Sequence, residues 1–198
     1  AVREGVITAE LDTGSWVVPA RRIGWFPPGV AHAARIHEAA RGWMISLRPD
    51  LCPLFPTTPT VFDMTSLSRA LLERIGGWSG ALIEHSAGEL TPPQHRQLEV
   101  LFDELKISPA EPLFLPMPSS PHLVGMTLTI VADPANKLSL DDWARRTGMS
   151  RRGLTRHFRA ETGMSLVQWR IVARMKRALE LLAQGDSVNR VAQRLGYD

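Results

Sequence analysis

The sequence predicts an α+β protein whose small β-rich N-terminal part precedes a helical C-terminal part. Up to about residue 65, short β-branched or aromatic runs alternate with Gly, Pro and Asp, roughly every 8 to 12 residues. Beyond that point the apolar residues recur at helical spacing. Residues 137–198 hold 13 basic and 6 acidic side chains, a balance of +7, whereas residues 1–136 balance at −4. This asymmetry suits a polyanion-binding module joined to a neutral or acidic partner domain, and the alternative is an ordinary solvated basic surface.

Bulk composition favours a cytoplasmic protein. The single cysteine, Cys52, cannot form an internal disulfide, so nothing indicates an oxidising compartment. No apolar run approaches the roughly 18 residues needed to cross a bilayer. The N-terminus also lacks the apolar core of a signal peptide.

Residues 1–65 are predicted to form a small barrel or sandwich. The expected strands are Val6–Leu11, Ser15–Val18, Ile23–Phe26, Ala33–Ile36, Trp43–Leu47 and Val61–Met64. Because the first strand begins almost at residue 1, we expect the barrel to be partial.

Residues 66–115 are predicted to be a helical dimerisation segment followed by a linker. One helix is expected over Ser66–Ile75, and a second begins after the N-cap Thr91 and runs to about Lys106. The second helix carries an apolar stripe at i, i+3, i+4 and i+7: Leu98, Leu101, Phe102 and Leu105. The stripe either packs on the barrel or pairs two copies of the chain, and both alternatives can hold together. Pro109–Pro121 contains five prolines and is predicted to be an extended interdomain linker.

Residues 116–198 are predicted to contain a helix-turn-helix unit. Ser139 caps a short helix that ends at the turn Gly148–Ser150, and Ser150 caps a second helix running to about Thr162. Ala144 is small where the second helix crosses the first. Two short helices joined by a three-residue turn are the motif that reads DNA bases.

The same pattern returns 48 residues later, where Ser187, Val191-Ala192 and Gly196 repeat Ser139, Trp143-Ala144 and Gly148. Between the two units a helix is predicted over Ser165–Ala183, about 28 Å long. That length is near the ~34 Å between successive major-groove faces. We expect its apolar positions Val172, Met175, Leu179 and Leu182 to be buried against both units.

The second helix of the first unit carries the candidate DNA-binding residues. Arg152 and Arg156 lie on the face opposite the apolar Leu154 and Phe158, with Thr155 beside them. Guanidinium and hydroxyl groups suit hydrogen bonds to base edges. Arg151 and Arg159, at the borders of this face, suit phosphate contacts. The alternative for the cluster is an ordinary solvated helix face.

These residues resemble the AraC/XylS family of bacterial regulators over about residues 120–198. The resemblance is carried by Ser150, Arg152, Leu154, Arg156, Phe158, Gly163, Ser165, Trp169, Arg174-Met175, Ala178, Leu181-Leu182, Val191-Ala192, Gly196 and Tyr197. It implies two helix-turn-helix units joined by a rod helix, with Arg152, Thr155 and Arg156 facing bases. In the family a second recognition helix follows, so we expect the second unit to be truncated at Asp198.

The N-terminal part also has a family resemblance. Pro27-x-Gly29-x-x-His32 is similar to the second motif of cupin barrels, which AraC-type regulators use as effector domains. Metal-binding cupins add a His-x-His and a glutamate, and the six histidines here include no His-x-His. We therefore predict no metal or other cofactor, but a small-molecule pocket with Trp25, His32 and Trp43 as candidate walls. Each of the three also suits an ordinary core position.

The sequence thus predicts a DNA-binding transcription regulator that responds to a small-molecule effector. Double-stranded DNA, an effector and a second copy of the chain are the predicted partners, and RNA polymerase is a further candidate. No nucleophile–base pair or carboxylate dyad has suggestive spacing, so we predict no catalytic residues and no enzyme. The alternatives are a cupin-type metal-dependent enzyme with a helical appendage and a helical protein-interaction adaptor.

Overall fold

The structure, a computed structural model, describes residues 1–52, 55–78, 90–109 and 113–197, without the side chains of residues 38 and 39. Across these ranges none of the helices is both long and apolar enough to span a membrane.

Strands dominate the N-terminal part and helices the C-terminal part, as the sequence predicts. The strands are β1 Val2–Leu11, β2 Gly14–Pro19, β3 Arg22–Trp25, β4 Ala33–Gly42, β5 Thr60–Asp63 and β6 Phe114–Pro116. The helices are α1 Ser66–Gly76, α2 Pro92–Ile107, α3 Pro121–Ala132, α4 Leu140–Thr147, α5 Arg151–Thr162, α6 Leu166–Ala183 and α7 Val188–Arg194, besides a short 3-10 turn at Pro49–Leu51.

The chain divides into two compact units, and strands β1 and β4 contribute residues to both. Unit 1 comprises Ala1–Gly5, Val18–Val30 and Ala39–Pro112, and unit 2 comprises Val6–Val17, Ala31–Glu38 and Leu113–Asp198. The units therefore do not follow the order of the chain. Unit 2 combines strand segments with all the helices from α3 onward.

The strands form one six-stranded antiparallel half-barrel in the order β5-β3-β1-β2-β6, with β4 also paired to β1. In unit 2, β6 pairs with β2 from Gly14↔Pro116 to Trp16↔Phe114. This strand lies inside the stretch predicted as an interdomain linker, of which residues 110–112 are outside the described residues. Gly14 permits the pairing, because a β-carbon there would lie 2.3 Å from the Leu115 carbonyl oxygen.

Unit 1 buries the apolar stripe of α2. Leu98, Leu101 and Leu105 are 3–5% exposed and pack with residues of β3, β5 and α1. Phe102 is half-buried and meets Phe55 edge to face, with ring centroids 4.7 Å apart. Of the two alternatives for the stripe, packing on the β part is the one the structure contains. Leu98, Leu101 and Leu105 of the predicted dimer contact thus belong to the unit 1 core, and Phe102 lies half-buried beside them.

Unit 2 is organised around Trp169 of α6, whose side chain is fully buried. The prediction that Met175 and Leu182 are buried on α6 is wrong, because they are 53% and 42% exposed. The buried positions are instead Trp169, Ala173, Glu180 and Leu181. The indole ring, the largest side chain on the helix, takes the inner position, and the buried face follows it at i+4, i+11 and i+12.

Replacing Leu101 by Ala is expected to destabilise the protein by about 2–4 kcal/mol, since it leaves a cavity in the unit 1 core. Chemical denaturation followed by tryptophan fluorescence measures the change. Leu128, which is 55% exposed on α3, is the matched control. Leu128→Ala is expected to change stability by no more than about 0.5 kcal/mol. Equal effects of the two substitutions would contradict the packing of α2 described above.

Candidate nucleic-acid interface

Helix α4 begins at a capping box and ends at a glycine with a left-handed conformation. The Ser139 hydroxyl and amide both donate to the Asp142 carboxylate, at 2.6 and 2.9 Å, and Ser139 Oγ accepts from the Asp142 amide at 3.2 Å. These bonds, the Ser139 hydroxyl first, lower the pKa of Asp142 to about 2. At the other end Gly148 adopts φ +69°, a left-handed conformation that favours glycine. Trp143 and Ala144 fall on the buried face between these two ends.

Helix α5 follows at the predicted residues. Ser150 caps it by accepting from the Gly153 amide at 3.1 Å. Leu154 and Phe158 are completely buried, and Phe158 meets Trp169 edge to face at 5.9 Å. Because these two side chains point into unit 2, the opposite face of α5 must point outward.

The outward face of α5 contains all five residues predicted to bind DNA. All are exposed, and together with Ala160 they line an open depression on the surface: Arg151, Arg152, Thr155, Arg156 and Arg159.

Three of these five side chains leave their positive charge unneutralised. Within the described ranges no carboxylate pairs with Arg152, Arg156 or Arg159, whereas Arg151 lies 3.4 Å from Asp141. Thr155 donates to the Arg151 carbonyl at 3.0 Å, which fixes its hydroxyl. An exposed helix face with three unpaired guanidinium groups attracts anions and presents hydrogen-bond donors to them.

Glu161, which the sequence analysis did not single out, fastens the end of α5 to the start of α3. Its Oε2 accepts from the amides of Ser119 and Ser120 at 2.8 and 3.0 Å. These bonds, the Ser120 amide first, hold the pKa of this carboxyl below its usual range. In the sequence Glu161 looks like any solvated helix residue, since its partners lie more than forty positions away.

Helix α6 contacts backbone carbonyls on either side of α3 through three side chains. The indole nitrogen of Trp169 donates to the Pro116 carbonyl at 2.6 Å. Arg170 donates to the carbonyls of Asn136 and Leu138, and Arg174 to that of Pro134 at 2.9 Å. The loop between α3 and α4 is thus held against α6.

The second predicted helix-turn-helix begins as expected with α7. Ser187 caps it by accepting from the Arg190 amide at 3.4 Å. Val191 and Leu195 pack on Leu181 of α6. Gly196 adopts φ +77°, close to the value of its counterpart Gly148 in the first unit.

The predicted effector residues occupy different environments. Trp25 and Trp43 are half-buried against the core of unit 1, and the Trp25 indole nitrogen donates to the Pro56 carbonyl at 2.8 Å. His32 is exposed on unit 2. A cluster of three or more His, Cys, Asp or Glu side chains able to hold a metal is not found in the described ranges.

Two capped helices at this spacing, with an exposed arginine-rich face on the second, define a helix-turn-helix DNA-binding protein. The family model described as a helix-turn-helix domain matches residues 143–198. The HTH-type transcriptional regulator NimR of Escherichia coli (strain K12) is 32% identical over 98% of this chain and 68% of NimR. The chain belongs to the AraC/XylS family of DNA-binding transcription regulators, which confirms the resemblance.

Two further proteins are similar to parts or all of the chain. The HTH-type transcriptional regulator RipA of Corynebacterium glutamicum is 34% identical over 41% of this chain and 25% of RipA. The structure of ToxT from Vibrio cholerae aligns with 99% of this chain and 79% of ToxT, at 9% identity and a TM-score of 0.36.

Asp142→Asn is expected to remove a pH-dependent part of the stability of α4. A carboxyl whose pKa falls from 3.8 to about 2 on folding stabilises the folded state above its unfolded pKa. That contribution is lost as the pH falls from about 4 to about 2. The melting temperature of the native protein should therefore exceed that of Asp142→Asn near pH 6, and the difference should shrink below about pH 4. Parallel melting curves at every pH would contradict the assignment.

Proposed function

We propose that this regulator recognises specific DNA sequences by placing the outward face of α5 in the major groove. The observation that carries the proposal is the set of three exposed arginines with which no carboxylate of the described residues pairs, on the face opposite Leu154 and Phe158. A DNA duplex supplies both the negative charge and the acceptor groups that such a face needs.

The individual roles follow from position on the helix. Arg152, Thr155 and Arg156 share the middle of the face and are assigned to base edges, where a guanidinium can bond bidentately to guanine. Arg151 at the helix start and Arg159 one turn beyond are assigned to phosphates. Arg151 would exchange its contact with Asp141 for a phosphate oxygen on binding.

The β-rich part is proposed to bind a small-molecule effector whose presence changes DNA affinity. Trp25 and Trp43 in unit 1, and separately His32 in unit 2, remain candidate contacts, because an indole or imidazole ring offers both apolar area and a hydrogen-bonding nitrogen. An effector can act in this way only if it binds two arrangements of the protein with different affinity. Membership of a regulator family supports three further proposals. The protein acts in the cytoplasm, it has no enzyme activity, and RNA polymerase is a further partner.

The direct test is selection of bound sequences from random duplex DNA by the native protein, with and without candidate effectors. Arg156→Ala is expected to weaken binding to the selected site by about 1–3 kcal/mol and to relax preference at one base pair. Titration of labelled duplexes that differ at single positions measures both effects. Equal weakening on selected and random DNA would reassign Arg156 to a phosphate.

Two matched variants separate charge from recognition. Arg159→Ala should weaken binding to selected and random DNA alike. It should also reduce the slope of the logarithm of the binding constant against the logarithm of the salt concentration by about 0.9, the contribution of one phosphate contact. Arg69→Ala removes the same charge from α1, where Arg69 pairs with Glu73 at 3.1 Å, and should leave both affinities unchanged.

We further infer that the protein acts as a homodimer, which raises affinity because the second site binds at high effective concentration. Leu98, Leu101 and Leu105 of the predicted stripe are buried in the unit 1 core, so we assign the contact to the opposite face of the helix. Val100 and Ile107 are seven residues apart on that face and are 44% and 77% exposed.

Ile107→Glu is expected to shift the native protein from dimer to monomer, because it places a charge in the proposed contact. Sedimentation velocity measures the change. Circular dichroism should be unaltered, since the side chain is exposed. A dimer that survives both Ile107→Glu and Val100→Glu would exclude this face.

A further inference from the structure

Unit 2 contains a buried polar contact between helix α6 and the strands β1 and β4. The Glu180 carboxylate of α6 accepts from the Thr8 hydroxyl of β1 at 3.4 Å. His37 Nε2 of β4 lies 2.9 Å from the same hydroxyl oxygen and 3.8 Å from the carboxylate. Thr8 and Glu180 are buried, and only 9% of the His37 side chain is exposed. We call Thr8, His37 and Glu180 the polar lock.

The Thr8 hydroxyl is the middle member of the polar lock. It donates to the Glu180 carboxylate, and its oxygen lies within hydrogen-bond distance of His37 Nε2. Removal of this hydroxyl therefore interrupts both contacts.

A second polar pair lies beside the lock. Lys176, one turn earlier on α6, donates to the Ser15 hydroxyl of β2 at 2.7 Å. Burial holds the pKa of this ammonium below its usual range, and the Glu180 and Glu10 carboxylates oppose that shift. Arg177 donates to Glu180 at 3.1 Å and supplies a further positive partner. The last two turns of α6 thus meet the strands through charged and hydroxyl groups.

The first half of α6 is attached differently. Trp169 and Ala173 belong to the apolar core of unit 2, which also contains Leu115 of β6. Separating an apolar contact exposes hydrophobic surface, whereas a charged group that leaves a polar contact regains its hydration. The first half of α6 is therefore the fixed end, and the polar half is the end that can detach from the strands.

The detachable end is also the one that supports the second helix-turn-helix unit. Leu181, adjacent to Glu180, is buried against Val191 and Leu195 of α7. The first helix-turn-helix packs instead on Trp169, three turns earlier. Glu180 thus lies next to the residue of α6 on which α7 packs.

We propose that the polar lock is the point at which the strands control the position of α7, the first helix of the second helix-turn-helix, relative to the DNA-reading helix α5. With the lock closed, α6 holds α7 in register with α5; with it open, the end of α6 moves and the units no longer match the spacing of successive grooves. This inference rests on the proposed function, because it presupposes that α5 binds DNA. It adds the residues through which the strands would regulate that binding.

Hydrogen exchange in the native protein tests the lock without DNA. In Thr8→Val, which keeps the side-chain volume, amides of residues 176–195 should exchange at least about fivefold faster, while those of 166–173 stay unchanged. Glu180→Gln should act in the same direction. Unchanged exchange in both variants would overturn the proposal.

DNA binding tests the consequence. On the selected site Thr8→Val and Glu180→Gln should each weaken binding about tenfold, and the double variant should be no weaker than either. Met175→Gln, on the exposed face of α6, is the matched control and should bind like the native protein. Additive effects, or native affinity in both lock variants, would overturn the proposal. Failure of the function itself would appear separately, as equal affinity of native protein and Arg156→Ala for every sequence.

Discussion

The whole DNA-binding part depends on the burial of Phe158 and Leu154 of α5 against Trp169 of α6. A helix has only one rotation about its axis at which two such side chains are both removed from water, and that rotation turns the arginine face outward. Glu161 then fixes the far end of α5 to α3, and the Trp169 indole fixes α6 to β6. The outward direction of the arginines is thus determined by apolar residues elsewhere on the helix.

The same helix α6 links two kinds of contact. Around Trp169 it is held by apolar packing, which is costly to separate and gives the first unit a stable geometry. Around Glu180 it meets the strands through hydrogen bonds with the Thr8 and Ser15 hydroxyls, which water can replace. A regulator needs both properties, since a recognition surface must be preorganised while its relation to an effector domain must be able to change.

Much of the fold could be predicted from local patterns. The serine caps, Gly148 and the apolar spacing of α4 and α5 act within a few residues of each other, so their meaning is readable without tertiary contacts. The stripe on α2 was recognisable for the same reason, but its partner was not, because an apolar face is equally suited to a core or to a second subunit. The burial of Met175 was predicted wrongly, since helical periodicity cannot tell which of two neighbouring apolar rows a large ring such as Trp169 will turn inward.

The sequence by itself determined the two capped helices of the helix-turn-helix, the turn between them and the residues of its exposed face, because capping, turn geometry and periodicity are local. Only the tertiary structure placed β6 in the sheet, Glu161 on the start of α3, and Thr8 and His37 beside Glu180. These contacts join residues between 42 and 172 positions apart and depend on how strands and helices come together. No pattern within one segment contains that information.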